Sequence, residues 1–145
     1  MSPDISSQPL PLTSSSSTEV ELKKRRILLV DDDPDITTTF DLSLEDTGLF
    51  EVETYNDSIE ALSNFQANSY DLVLLDIKMP KMGGFELCDK IRKLDSNVKV
   101  CFISAFDPYS DELKEQFLSS RIECFIPKPI PTKELAKRIE VELSR

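Results

Sequence analysis

Two short runs of the chain, residues 27–30 and 72–75, are apolar at every position. A continuous apolar run of this length, bounded by turn residues, is typical of a strand that is buried on both faces of a parallel sheet. Three further short segments, residues 50–55, 98–103 and 122–126, are also predicted as strands. The pattern therefore predicts five strands.

Between the strands, apolar residues recur at helical spacing and predict five helices. Asp33 and Pro34 suit the N-cap and first turn of the first helix, and Gly48 is placed to end it. Asp57 with Glu60 three residues later matches a capping box for the second helix. The predicted apolar positions are, helix by helix, Ile36, Phe40, Leu42 and Leu44; Ile59, Leu62 and Phe65; Phe85, Leu87, Cys88, Ile91 and Leu94; Leu113, Phe117 and Leu118 after Asp107-Pro108; and Leu135, Ile139 and Leu143, with Ala136 and Val141 beside them.

Five strands that alternate with five helices predict a doubly wound α/β fold. Short connections and right-handed crossovers favour a parallel sheet with helices on both faces. For five strands we expect the flavodoxin-like order 2-1-3-4-5. In that order the ends of the first and third strands lie side by side.

The N-terminal residues differ in composition from the rest. Residues 1–24 are rich in serine and proline and contain no aromatic side chain, so they are predicted to form a disordered leader. Residues 25–145 are predicted to form one folded domain.

Charge and residue usage exclude several classes of function. The net charge of −10 argues against nucleic acid or an anionic membrane as a direct partner. The chain has no histidine, which nearly excludes zinc sites and histidine-based catalysis. It shows neither a membrane-spanning apolar run nor a signal peptide, and we expect a cytoplasmic location. The three cysteines, Cys88, Cys101 and Cys124, have apolar surroundings and are predicted to be buried thiols.

Polar residues follow four of the predicted strands at the point where each strand ends. Asp31 and Asp32 follow the first strand, Asp76 ends the third, Ser104 ends the fourth and Lys128 follows the fifth. In open α/β sheets, ligands bind beyond the carboxyl ends of the strands. These side chains are therefore expected to meet at one edge of the sheet.

The same residues carry a family resemblance. Val30-Asp31-Asp32, Asp76-Ile77-Lys78-Met79-Pro80 with Gly83-Gly84, Ser104-Ala105 and Lys128-Pro129 occur in order at the expected spacings. From about residue 26 to residue 144 the chain resembles the receiver domain of two-component response regulators. Each motif is weak alone, but the four together are highly specific.

The resemblance implies that Asp76 is the phosphate acceptor and that the site binds Mg²⁺. Asp31, Asp32 and Asp76 would be ligands of the ion, as would the backbone carbonyl of Lys78. Three carboxylates within roughly 5 Å repel by about 3 kcal/mol per pair at an effective dielectric near 20, so a cation or a proton is needed. Oxygen-only ligands with room for water suit Mg²⁺.

The resemblance also assigns roles at the fourth and fifth strands. Lys128 would pair with phosphoryl oxygens, and its peptide bond to Pro129 would be cis. Ser104 would donate a hydrogen bond to the phosphoryl group while Phe125, a tyrosine in many members, turns inward. Plain core packing of Phe125 is an equally good interpretation.

Partners follow from the same resemblance. The phosphoryl donor would be a sensor histidine kinase or a histidine phosphotransfer protein, and a downstream protein would bind the surface of helix 4, strand 5 and helix 5. The domain would catalyse its own phosphorylation and dephosphorylation without an external substrate. Because the chain stops after the fifth predicted helix, we expect no output domain. Lys78, two residues beyond the acceptor, is hypothesised to slow dephosphorylation by hindering the attack of water.

The residues leave two alternative functions open and show one departure from the family pattern. Asp31 and Asp33 also fit the D-x-D start of a haloacid-dehalogenase-type phosphatase, with Asp31 as nucleophile and Asp33 as acid/base. A receiver-like domain that only binds a partner is the other alternative. Pro127 would interrupt the last strand, which an edge strand tolerates, and the order 2-1-3-4-5 places this strand at an edge.

Overall fold

A computed structural model describes residues 23–105, 115, 119 and 122–145. Apart from Lys23 and Lys24, the predicted leader lies outside the described residues, and so does nearly all of the predicted fourth helix. The elements, in chain order, are β1 (Arg25–Val30), α1 (Pro34–Asp46), β2 (Phe50–Tyr55), α2 (Ser58–Asn64), β3 (Leu72–Asp76), α3 (Gly84–Leu94), β4 (Lys99–Ser104), β5 (Phe125–Pro127) and α4 (Thr132–Ser144).

The five strands form one sheet in the order β2-β1-β3-β4-β5, and every neighbouring pair is parallel. The register places Val30 beside Leu75, Asp76 beside Ile103 and Ser104 beside Pro127. The predicted order, 2-1-3-4-5, is confirmed. Among the described residues there are four helices rather than the five that the sequence predicts.

Both faces of the sheet are covered, which explains the continuous apolar runs. On one face, Leu29 and Leu74 pack with side chains of α1 and α4. On the other face, Leu28 and Leu75 pack with side chains of α2 and α3. Each fully buried leucine stabilises the fold by about 1.5–3 kcal/mol. The strands are therefore rigid supports for the residues at their ends.

The predicted helix ends are observed. Oδ1 of Asp33 accepts a hydrogen bond from the Asp35 amide at 2.9 Å, as an N-cap residue does. Oδ1 of Asp57 accepts from the amides of the next helix at 2.8 and 3.1 Å. Gly48 follows α1 with a φ of +78°, a conformation that favours glycine.

Part of the predicted apolar pattern is wrong. Leu42 is 68% exposed, whereas Phe40 and Leu44 on the same helix are buried. Two positions along a helix correspond to a rotation of about 200°, so Leu42 lies opposite the buried side of α1. Among the described residues, the other predicted apolar positions that are exposed are Ile59, Leu94 and Val141.

The cysteines also need a correction. All three are buried, as predicted, but Cys101 and Cys124 form a disulfide and only Cys88 is a free thiol. The register that pairs Phe102 with Phe125 places Cys101 beside Cys124, with a Cα–Cα distance of 4.6 Å. The prediction of three thiols is therefore wrong for this pair.

The last strand is shorter than predicted and starts at Phe125 rather than at residue 122. It forms an edge of the sheet, so the missing amide hydrogen of Pro127 is tolerated, as expected. In the part of the chain that the structure describes, no helix is long and apolar enough to cross a membrane.

Candidate functional site

Four strand ends bring charged and hydroxyl side chains to one edge of the sheet. Asp31 follows β1, Asp76 is the last residue of β3 and Ser104 is the last residue of β4. Lys128 follows β5, and its amide donates a hydrogen bond to the carbonyl of Ser104 at 2.9 Å. Asp31, Asp76 and Ser104 are all buried. The predicted convergence of these residues is therefore observed.

Lys128 bridges two of the buried carboxylates. Its Nζ donates a hydrogen bond to Oδ2 of Asp31 at 2.7 Å and lies 3.7 Å from Oδ2 of Asp76. The Lys128 side chain is only 16% exposed, so water screens this interaction weakly. The peptide bond between Lys128 and Pro129 is cis, as the resemblance implied.

Asp31 is held at both carboxylate oxygens. While Oδ2 accepts from Lys128, Oδ1 accepts from the amide of Asp33 at 3.0 Å. The carboxylate of Asp33 is itself engaged as the N-cap of α1. The phosphatase alternative needs Asp31 as nucleophile and Asp33 as acid/base, and this arrangement does not support it.

Asp31, Asp32 and Asp76 form a compact carboxylate cluster. One oxygen of each lies within 4.8 Å of the others, and Asp32 is exposed while the other two are buried. Burial, and after it the charge of Asp31, raise the pKa of Asp76 from 3.8 to about 6, against the opposing effect of Lys128. One ammonium therefore does not balance the three carboxylates. A cluster of carboxylate oxygens in which one carboxylate, that of Asp32, is exposed to solvent fits a hard divalent cation such as Mg²⁺.

The turn after Asp76 depends on close backbone approach. The amide of Gly84 donates to the carbonyl of Ile77 at 2.7 Å. A Cβ atom on Gly84 would lie 2.2 Å from the carbonyl oxygen of Asp76, whereas one on Gly83 would lie 3.1 Å from the Ile77 oxygen. Glycine at position 84 thus lets α3 start directly against the end of β3.

The remaining predicted site residues are Lys78 and Phe125. Lys78 is exposed, two residues beyond Asp76. Phe125 is half-buried in β5 and packs against the apolar cluster between the sheet, α2 and α3. Lys81, with a φ of +70°, forms an ion pair with Asp57 at 3.2 Å and ties the turn after β3 to the start of α2.

The sequence did not identify two residues that contact the Asp31 turn. Asn56 donates from Nδ2 to the carbonyl of Asp31 at 2.8 Å and to Oγ1 of Thr37 at 3.0 Å. An asparagine after a strand is an ordinary turn residue, and a threonine in a first helical turn is equally common. No signal in the sequence distinguishes either of them.

Residues 27–140 match the family sequence model of the response regulator receiver domain. The chain belongs to the response regulator receiver family. It is a receiver domain of the two-component type, in which phosphorylation on an aspartate is the general behaviour. Receiver domains interact with histidine kinases or phosphotransfer proteins.

The curated relatives are longer than this receiver domain. A transcriptional regulatory protein CpxR homolog from Haemophilus influenzae is 42% identical over 120 residues, which cover 83% of this chain and 51% of the relative. A probable transcriptional regulator ycf27 from Guillardia theta is 36% identical over 122 residues, covering 84% and 46%. The chain spans about half the length of these relatives, so the expected lack of an output domain stays a prediction.

Solved receiver domains share the fold. A CheY-like receiver domain protein from Methanospirillum hungatei is 30% identical with a TM-score of 0.72, covering 84% of this chain and 95% of that one. The non-phosphorylated HemR receiver domain from Leptospira biflexa is 32% identical with a TM-score of 0.73, covering 84% and 96%. CheY in a complex with CheX, BeF3 and Mg²⁺ from Borrelia burgdorferi is 28% identical with a TM-score of 0.68, covering 81% and 87%.

Proposed function

We propose that Asp76 is the phosphate acceptor of a two-component phosphorelay, with a sensor histidine kinase or a histidine phosphotransfer protein as donor. The observation that carries this proposal is the position of the Asp76 carboxylate. It is 7% exposed at the end of β3, with the Lys128 ammonium 3.7 Å away and the carboxylates of Asp31 and Asp32 beside it. The family's general behaviour supports the same assignment.

The proposed reaction is a phosphoryl transfer between two protein side chains. A carboxylate oxygen of Asp76 attacks the phosphorus of a phosphohistidine. A P–O bond forms as the P–N bond breaks, and the leaving imidazole nitrogen keeps the electron pair. Water later attacks the phosphorus of the acyl phosphate, and inorganic phosphate leaves as the Asp76 carboxylate is restored. Apart from the donor and water, the domain needs no external substrate.

Mg²⁺ is the proposed cofactor. Asp31, Asp32 and Asp76 would hold it with their carboxylates, and the backbone carbonyl of Lys78 is the further proposed ligand. When bound, Mg²⁺ offsets the charge of the carboxylates and of the phosphoryl oxygens. The excess of three clustered carboxylates over one ammonium supports this choice.

Lys128 and Ser104 are proposed to contact the phosphoryl group. The Lys128 ammonium is a compact point charge that can pair with phosphoryl oxygens. It is already within 3.7 Å of Asp76, so a short displacement suffices. Ser104 lies at the end of the neighbouring strand, one residue beyond the position paired with Asp76. Its hydroxyl is the proposed hydrogen-bond donor.

Signalling is proposed to run through Phe125 and the adjoining surface. Phosphorylation adds about 1.5 to 2 negative charges and new acceptor oxygens next to Ser104. Movement of Ser104 would vacate space into which Phe125 turns. This would change the surface formed by β5, by the predicted fourth helix and by α4, which corresponds to the fifth helix predicted from the sequence. An unidentified downstream protein would bind that surface. A cytoplasmic location belongs to the same proposal.

Phosphotransfer from a labelled phosphohistidine donor tests the proposal. A phosphotransfer protein carrying radioactive phosphate on histidine is mixed with wild type, Asp76→Asn and Asp46→Asn. Asp46 is an exposed carboxylate at the end of α1 and serves as the control. We expect label on wild type and Asp46→Asn only, released by hydroxylamine as from an acyl phosphate. Equal labelling of Asp76→Asn would contradict the assignment.

A further inference from the structure

The side chain of Asn56 crosses from the end of β2 to the turn that carries Asp31 and Asp32. One bond runs from Nδ2 to the backbone carbonyl of Asp31 at 2.8 Å. The other runs from the same nitrogen to Oγ1 of Thr37 at 3.0 Å. A carboxamide nitrogen has two hydrogens, so both are engaged. Asn56 therefore connects β2, the Asp31 turn and α1.

The first bond fixes the peptide group that joins Asp31 to Asp32. The amide of Asp31 already donates to the carbonyl of Tyr55 at 3.1 Å. With the Asn56 bond, both backbone groups of Asp31 are held by the end of β2. The peptide unit is planar, so fixing the Asp31 carbonyl also sets the position of the Asp32 Cα atom. Asp32 is exposed, so the position of its Cα atom, rather than burial of its side chain, limits where its carboxylate can lie.

The second bond anchors Asn56 itself. Thr37 is buried in the first turn of α1, and its hydroxyl donates to the carbonyl of Pro34 at 3.1 Å. The Thr37 oxygen is thereby oriented as an acceptor for Asn56. The turn between Asp31 and Pro34 is therefore held from the strand side and from the helix side.

We infer that Asn56 is a positioning residue for the divalent cation site and acts through the Asp31–Asp32 peptide. This inference rests on the proposed function, because it takes Asp31 and Asp32 as ligands. Groups that orient metal ligands from outside the coordination sphere typically contribute about 10- to 100-fold to metal affinity. Loss of the Asn56 amide frees the Asp31 carbonyl and lets the Asp32 carboxylate move relative to that of Asp76.

The test measures Mg²⁺ affinity in the unphosphorylated protein by isothermal titration calorimetry. We expect Asn56→Ala to raise the dissociation constant for Mg²⁺ by about tenfold. Asn64→Ala is the matched control, because Asn64 also donates from Nδ2 to a backbone carbonyl, that of Glu60 at 2.9 Å, within α2. It should leave the constant unchanged. Thr37→Val removes the anchor and should weaken Mg²⁺ binding in the same direction, which keeps the inference testable if Asn56→Ala does not fold.

The outcomes separate this inference from the proposed function. If wild type binds Mg²⁺ and the Asn56 and Thr37 variants bind it equally well, with only a lower melting temperature, Asn56 is structural and the inference is overturned. If wild type and Asn64→Ala bind no Mg²⁺, the proposed metal site fails and the inference fails with it.

Discussion

The ammonium of Lys128 is hydrogen-bonded to Asp31 at 2.7 Å and is 3.7 Å from Asp76, so Asp31 is its primary partner. Both charges of the closer pair are largely buried. In the unphosphorylated protein Lys128 therefore compensates the Asp31 charge. Pairing with a phosphoryl group on Asp76 would require it to share or leave that partner.

Replacing Lys128 should destabilise the protein. Lys128→Ala leaves the buried Asp31 carboxylate without its cation, and removing one partner of a buried ion pair costs on the order of 3 kcal/mol. Urea unfolding in metal-free buffer at neutral pH measures this. Lys137→Ala, an exposed lysine on α4, should change the free energy of unfolding by less than about 0.5 kcal/mol. Equal effects of the two substitutions would contradict the buried-pair description.

Stability should depend on pH through Asp76. Its pKa is raised from 3.8 to about 6 in the folded protein, mainly by burial and then by Asp31. The carboxyl thus favours the folded state when protonated. This contribution of Asp76 to the free energy of unfolding is fully present below pH 4 and is lost as the pH rises through about 6. It amounts to at most about 3 kcal/mol, since each pH unit between the two values is worth about 1.4 kcal/mol.

Asp76→Asn checks this pH dependence directly. The variant keeps the shape of the side chain without the charge, so metal-free Asp76→Asn should be about 1–3 kcal/mol more stable than wild type at pH 7. The difference should shrink toward pH 4. Urea unfolding across this pH range is the measurement, and parallel pH profiles of the two proteins would rule out the predicted ionisation cost.

The glycine at position 84 should be far less replaceable than its neighbour. An added Cβ at Gly84 meets the Asp76 carbonyl oxygen at 2.2 Å, whereas one at Gly83 meets the Ile77 oxygen at 3.1 Å. Gly84→Ala forces α3 away from β3 and should cost about 1–3 kcal/mol, more than Gly83→Ala. Thermal unfolding of the two variants compares them. A smaller loss for Gly84→Ala would show that the turn relaxes without moving the strand end.

Lys78 should slow the loss of the phosphoryl group. It is exposed two residues beyond Asp76, where its side chain can hinder the approach of water. Lys78→Ala should therefore dephosphorylate several-fold faster, as followed by the decay of the acyl phosphate. Lys93→Ala, an exposed lysine in the last turn of α3, is the control. An unchanged rate in Lys78→Ala would remove this role.

The sequence predicts the parts of the fold that depend on local pattern. The apolar runs of β1 and β3 follow from burial on two faces, and Asp33 and Asp57 cap their helices through bonds two or three residues away. A count of apolar residues that ignores angular position groups Leu42 with Phe40 and Leu44, although Leu42 lies on the exposed side of α1. The strand order followed from the alternation of strands and helices.

The parts that sequence could not supply depend on contacts between distant segments. The Cys101–Cys124 disulfide depends on the register of β4 and β5, which no local pattern encodes. The bond from Asn56 to the Asp31 carbonyl spans 25 residues and uses a backbone acceptor that any residue provides. Asp31 and Asp76 could be placed at one edge, but the preference of Lys128 for Asp31 could not be predicted.

Whether Asp76 accepts the phosphoryl group is measured by intact mass after incubation with acetyl phosphate. Wild type, Asp76→Asn, Asp31→Asn and Asp46→Asn are compared with and without Mg²⁺. We expect a single Mg²⁺-dependent phosphoryl adduct on wild type and Asp46→Asn, and none on Asp76→Asn. An adduct that survives in Asp76→Asn and disappears in Asp31→Asn would contradict the assignment of Asp76 and favour phosphatase-like chemistry at Asp31.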